Sequence, residues 1–201
     1  MKLSKKGEYA LRSLIDLGIA ADVGRDLVQV TELADKELIP AKFLEQIMQE
    51  LKAAGFITSQ RGKYGGYRLS RPADDISIGD IVRLIDGPLA PIGCVSQTSY
   101  EKCSCPDEVH CGLRMLMLDV RNAIAGILDR YSLADVVDVT TRKMKRDGIP
   151  LPFSGERVRG SRRGAKSRPS AAADKRQQIP ADRRLKPVEG ILSELFPDYT
   201  I

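Results

Sequence analysis

Apolar residues recur at helical spacing from the start of the chain. Over residues 4–22 they fall at Leu11, Leu14, Ile15, Gly18 and Ile19, one face of a period of 3.6, and Ser4 is placed to cap the first turn. Asp22–Asp26 reads as a loop and Val28-Gln29-Val30 as a short strand. Thr31 reads as the cap of a second helix with Leu33, Ala34 and Leu38 inward. Pro40 opens a third helix, where its missing N–H is no loss. That helix carries Phe43, Leu44, Ile47, Met48 and Leu51 to Gly55, a residue suited to stopping it. The period then changes to two. Phe56–Ser59 and Tyr67–Ser70 flank Gln60-Arg61-Gly62-Lys63-Tyr64-Gly65-Gly66, the pattern of a β-hairpin with a glycine-rich tip. Ser77 caps a fourth helix with Ile78, Ile81, Val82, Leu84 and Ile85, which Gly87-Pro88 breaks.

Residues 88–110 have no period. A long helix follows from Gly112 to Arg130, with an apolar stripe of Leu113, Leu116, Met117, Val120, Ile124, Ile127 and Leu128. The stripe is longer than one small domain can cover, so a dimerisation helix is expected, with Ser132–Val137 adding a last turn. After Thr141 the pattern collapses. The fold class is mainly α with a small β-hairpin wing: a winged helix–turn–helix plus a long dimerisation helix. The expected division is a DNA-binding domain at 1–87, a cysteine-rich loop at 88–111, the dimerisation helix at 112–140 and a basic, largely disordered tail at 141–201. A small amphipathic island, Val188–Phe196, lies within that tail.

Charge sharpens this division. The chain has 32 basic and 27 acidic residues among 201, a net +5. Residues 156–186 hold eleven Lys or Arg and three acidic residues, leaving 21 basic and 24 acidic elsewhere. Nucleic-acid binding by the folded part must therefore come from local patches; the tail is expected either to add salt-sensitive affinity without reading bases or to be a solubilising appendage that touches nothing. There is no apolar run long enough for a membrane helix and no signal-peptide pattern at the N-terminus, so a cytoplasmic chain without membrane association is expected. No Gly-rich phosphate loop followed by Lys-Ser/Thr, no thioredoxin Cys-x-x-Cys and only one His are present. An enzyme is not expected, and a small redox protein is the weaker alternative.

Two helices joined by a short turn and followed by a hairpin place the second helix in the major groove. Its polar positions there are Lys42, Glu45, Gln46 and Gln49, and the hairpin tip offers Arg61 and Lys63. Phe43-Leu44-Glu45-Gln46-Ile47, Leu51-Lys52-Ala53-Ala54-Gly55-Phe56-Ile57 and Arg61-Gly62-Lys63-Tyr64-Gly65-Gly66-Tyr67-Arg68-Leu69 resemble the IscR/NsrR family of bacterial regulators, also called the Rrf-two family. Leu3-Ser4 and Tyr9-Ala10-Leu11-Arg12 resemble that family's first helix. The resemblance covers about residues 1–140. It implies a homodimer on a palindromic double-stranded DNA operator, base contacts from Glu45 and Arg61, and a transcriptional regulator, expected to be a repressor.

All four cysteines lie in one stretch, spaced Cys94-x8-Cys103-x-Cys105-x5-Cys111, with the only His, His110, beside the last. This is not the paired Cys-x-x-Cys of a zinc ribbon. Iron–sulfur clusters accept irregular loop spacings, and Cys111 opens a helix, where the dipole favours a thiolate. Cluster-binding members of the family carry three loop cysteines, the last two five residues apart, which matches Cys94, Cys105 and Cys111. Here the first gap is longer and Cys103 is extra, so Cys103 could replace Cys105. The fourth ligand is open among Cys103, His110 and Glu8, the last because an acidic residue on the partner's first helix completes the site in some members. The resemblance implies a 2Fe–2S cluster that modulates operator affinity. The alternative is a cluster-free regulator that senses through thiols, zinc, or a protein or metabolite partner.

Overall fold

A computed structural model of the chain describes residues 2–155. Helix α1 spans Lys5–Asp22, with the Ser4 hydroxyl accepting from the Gly7 N–H at 3.0 Å. Helices α2 (Val30–Glu37) and α3 (Ala41–Ala53) follow, then strands β1 (Ile57–Gln60) and β2 (Gly66–Leu69). Helix α4 spans Ile78–Asp86, α5 Gly112–Arg130 and α6 Leu133–Arg146, with short 3-10 turns at Ala73–Asp75 and Gly93–Val95.

The core collects the inward faces read from the periodicity. Leu14 of α1, Leu33 of α2, Leu44, Ile47, Met48 and Leu51 of α3, and Ile81 of α4 are fully buried, each worth about 1.5–3 kcal/mol of transfer free energy. Helix α1 is the central element, packed against α2, α3, α4, α6 and β2. The hairpin is antiparallel with Ile57 opposite Leu69 and Gln60 opposite Gly66. Its tip needs glycine. Gly62 sits at φ +112°, and a Cβ on Gly65 would stand 2.1 Å from the Gln60 carbonyl oxygen.

Four expectations are corrected. Val28-Gln29-Val30 is not a strand. Val28 makes one antiparallel bridge to Tyr67 (N–H···O 3.0 and 2.8 Å), and the chain then turns directly into α2. Thr31 is inside α2, whose cap position is Gln29. Leu38 is not inward: the helix ends there in a left-handed turn (φ 55°), which throws Leu38 outward and gives the buried position to Ile39.

The fourth correction concerns the segment after α5, which is more than a last turn. Tyr131–Ser132 is extended and pairs with Ile76–Ile78 through Ile78 N–H to Tyr131 O (3.0 Å) and Leu133 N–H to Ile76 O (2.7 Å). Ser132 and Asp135 then form a reciprocal capping box, and α6 continues past Thr141, packing on α1 with Val137 against Gly18. The span 112–140 is therefore two helices. Beyond Gly148 the chain turns back to set the Phe153 ring 5.7 Å from the Arg25 guanidinium and 6.0 Å from the Lys36 ammonium. The basic stretch from residue 156 and the island Val188–Phe196 lie outside the described residues. Among the described residues no helix is long and apolar enough to cross a membrane.

Candidate DNA-binding face and cysteine pocket

Helix α3 buries Leu44, Ile47, Met48 and Leu51, which turns Lys42, Glu45, Gln46 and Gln49 outward in a row at helical spacing. None of these four makes a hydrogen bond or ion pair among the described residues. Arg61 and Lys63 are exposed at the hairpin tip. Lys63 is steadied there: its Nζ stands 5.7 Å from the Tyr64 ring centre, and its carbonyl accepts from Gln29 Nε2 at 3.2 Å. Together with the Val28–Tyr67 bridge, this clips the wing to the α1–α2 linker. Lys52 Nζ donates to Ser59 Oγ at 2.6 Å and ties α3 to β1. Helix, turn, helix and wing are thus joined by contacts at both ends of the hairpin.

Helix α1 supports α3 from behind through Lys6–Glu50 (2.6 Å) and an edge contact of Tyr9 with Phe43 (5.9 Å between ring centres). At its other side, the start of α1 meets the end of α4. Asp86 accepts from the Ser4 backbone N–H at 2.9 Å and from the Ser4 hydroxyl. A Cβ on Gly7 would stand 2.5 Å from the same carboxylate, so only glycine admits it this closely. The cysteine loop leaves from that joint, after Gly87 at φ +82°.

All four cysteines line one pocket of about 350 Å³, together with Glu101, Lys102 and Arg114 among others. The 3-10 turn Gly93–Val95 buries Cys94. Arg114 of α5 holds the turn by donating from Nε to the Cys94 carbonyl (3.3 Å) while pairing with Glu108 (3.2 Å). Tyr100 donates its hydroxyl to the same Glu108 at 2.8 Å. Cys111 caps α5, its sulfur accepting from the Arg114 N–H at 3.5 Å, and lies 3.8 Å from the sulfur of Cys105. Neither His110 nor Glu8 lines the pocket. His110 is 81% exposed and engages Asp107 through Nδ1 at 2.7 Å, which holds the Asp107 carboxyl below its ordinary range. Glu8 pairs with Lys5 (2.6 Å) and Arg12 (3.4 Å) on the surface of α1.

The thiols sense one another. Hydrogen bonding to Cys103 and then to Cys111 favours the protonated form of Cys105 and pushes it up to about 12. Cys103 is drawn the other way by the backbone and thiol of Cys105, and burial raises Cys94. The donor set fits an iron–sulfur cluster in chemistry, because soft thiolates are its protein ligands. The Cys105–Cys111 separation also fits, since two thiolates on one tetrahedral metal at about 2.3 Å stand about 3.8 Å apart. Among the described residues no three His, Cys, Asp or Glu side chains are arranged to hold a single metal ion; the pocket gathers the sulfurs without closing them on one point. Sequence reading missed Arg114, Glu108, Tyr100 and Asp86, because polar residues in and around an aperiodic loop carry no positional signal.

Helix α5 completes the picture. Arg121 is its only buried residue, whereas Leu113, Met115, Leu116, Val120 and Ile127 are exposed along a helix of about 28 Å.

The order of helices and the hairpin after them make a winged helix, the fold of DNA-binding transcriptional regulators. The family described as Rrf2, iron-dependent transcriptional regulator, matches residues 3–139, and the chain belongs to it. It is 37% identical over 139 residues to an rrf2-like HTH-type regulator of Rhodobacter capsulatus, covering 67% of this chain and 91% of that one. Among solved structures it is similar to CymR, the global cysteine regulator of Bacillus subtilis (30% identity, 69% of this chain and 98% of that one, TM-score 0.58). It is also similar to IscR of T. potens (26% identity, 71% and 90%, TM-score 0.56).

Proposed function

We propose that the protein is a homodimeric regulator, a repressor by occlusion, that binds a palindromic operator through Lys42, Glu45, Gln46, Arg61 and Lys63. Its affinity is set by an iron–sulfur cluster, 2Fe–2S, held by Cys94, Cys105, Cys111 and a fourth ligand. The observation that carries this reading is the convergence of the four cysteines on one pocket at the start of α5. The exposed apolar row of α5 supports dimerisation, because a row of this length is ordinarily covered. Two α3 helices related by a dyad then read two half-sites.

The chain's own residues supply the coupling. Arg114 fastens the Cys94 turn to α5, Asp86 fastens the end of α4 to the start of α1, and α1 carries α3. A bound cluster would add iron–thiolate bonds that pin the loop between α4 and α5. Pinning biases the angle between α5 and the winged helix, and an operator shifts that equilibrium only by its differential affinity for the two arrangements. By linkage, the operator changes cluster affinity as much as the cluster changes operator affinity.

A second reading has its own support: the 3.8 Å Cys105–Cys111 pair and the similarity to CymR both suit a cluster-free thiol sensor. Anaerobic reconstitution separates the two. The cluster reading expects visible sulfur-to-iron charge-transfer bands and different gel-shift affinities for the cluster-loaded and cluster-free protein. A colourless protein whose operator affinity follows thiol oxidation instead would establish the second reading.

A further inference from the structure

We infer that Cys103 is the fourth cluster ligand, so that the cysteines of one subunit hold the cluster without His110, Glu8 or a residue of a second chain. The inference rests on the cluster reading above and settles what that reading leaves open.

Three observations carry it. First, the pocket is lined by Cys94, Cys103, Cys105 and Cys111 together, and not by His110 of the same loop. Second, Cys105 lies 3.8 Å from Cys111, and Cys103 and Cys94 line the same small pocket as that pair. The chain bends at Ser104, which is exposed at the pocket's edge, and the cysteines on either side of it are half-buried in the pocket lining. Third, the competitors are engaged elsewhere. The His110 ring is turned into solvent by Asp107, which accepts both from its backbone N–H at 3.1 Å and from its ring. Glu8, which would have to reach the pocket from a second subunit, is already engaged in two ion pairs on its own α1. The imidazole next to Cys111 in sequence is therefore not part of the pocket lining.

An all-thiolate set has consequences distinct from a mixed one. With no imidazole ligand, the cluster's reduction potential stays flat with pH through the range where imidazole titrates. With no ligand from a second chain, cluster loading does not require the dimer.

The test uses full-length protein reconstituted anaerobically, in wild-type form and as Cys103→Ala, Cys103→Ser, His110→Ala and Glu8→Gln. The readouts are iron and sulfide per chain, visible absorbance and circular dichroism, and the potential against pH. Far-ultraviolet circular dichroism confirms folding; Cys103 is on an irregular loop outside the core, so its variants are expected to fold. The expected result is unchanged iron, sulfide and spectra in His110→Ala and Glu8→Gln, and severalfold loss of iron and sulfide in Cys103→Ala. Cys103→Ser, which can offer an alkoxide, is expected to retain some cluster with shifted bands. A coloured wild type whose spectrum and iron content survive Cys103→Ala overturns the inference alone. A wild type that takes up no cluster overturns it together with the cluster reading.

Discussion

The winged helix and the cysteine loop with α5 are built on opposite terms. In the first, every helix buries an apolar face against a neighbour, and the wing is clipped by backbone and side-chain hydrogen bonds at both ends. In the second, a helix of 19 residues buries one arginine, and the loop before it is held by Arg114, Glu108 and Tyr100 instead of a core. A region fixed by its own core opens only at a cost approaching that of global unfolding. A region with few buried apolar contacts opens and rearranges at low cost, and there external binding free energy can choose between arrangements. Reading DNA requires the first property and sensing requires the second.

The largest effect that would break this contrast is on stability. Leu44→Ala removes a fully buried side chain from the α3 core and is expected to cost ~2–5 kcal/mol. Leu116→Glu, on the exposed row of α5, is expected to leave intrinsic stability within about 0.5 kcal/mol while converting dimer to monomer. Urea denaturation with sedimentation velocity measures both. A large loss of stability at Leu116 in the monomer, or no change in oligomeric state, would mean that α5 is not the dimer surface.

Next is the operator. Arg61→Ala is expected to weaken binding by ~1–3 kcal/mol if it makes a bidentate base contact. Glu45→Ala should change sequence preference more than affinity, because a carboxylate near phosphates has little net attraction to lose. Gel shifts over a series of operator variants distinguish the two effects, and full binding by both variants would remove α3 and the wing from the interface.

The contrast also explains what the sequence discloses. The winged helix was legible because each element announces itself: a cap at Ser4 or Ser77, a period, and a glycine where φ turns positive. Helix α5 was legible to its ends, Gly112 and Arg130, for the same reason. Helix α6 was not. Its buried residues are Leu133 and the β-branched Val137, Val139 and Thr141, weak helix formers, and its last turn of Lys143, Lys145 and Arg146 reads like the start of the basic tail. Leu38 and Ile39 are equally apolar, and only the left-handed turn decides which is buried. Within the loop there is no period at all, so the sequence does not disclose that Cys103 lines the pocket and His110 does not.

The smallest effect is at the joint between the two regions. The Asp86 carboxylate accepts from the N–H and hydroxyl of Ser4, and that hydroxyl in turn accepts from Gly7, so α4 and the first turn of α1 share one hydrogen-bonded cap. A negative charge at a helix N-terminus is itself favourable. Asp86→Asn keeps the shape and one acceptor but removes the charge, and is expected to cost about 0.5–1.5 kcal/mol of stability. Neither DNA contacts nor cysteines are touched. If coupling runs from the loop through α1 to α3, cluster-loaded and cluster-free Asp86→Asn should bind the operator with affinities closer together than in the wild type, with cluster content unchanged. A second connection provides the control: Arg83 of α4 grips Asp129 of α5 through two hydrogen bonds of 2.6 Å. Arg83→Ala should loosen α4 from α5 while leaving the Asp86 cap in place. If the affinity ratio collapses in Arg83→Ala and stays intact in Asp86→Asn, the signal passes through the α4–α5 clamp and not through the cap of α1.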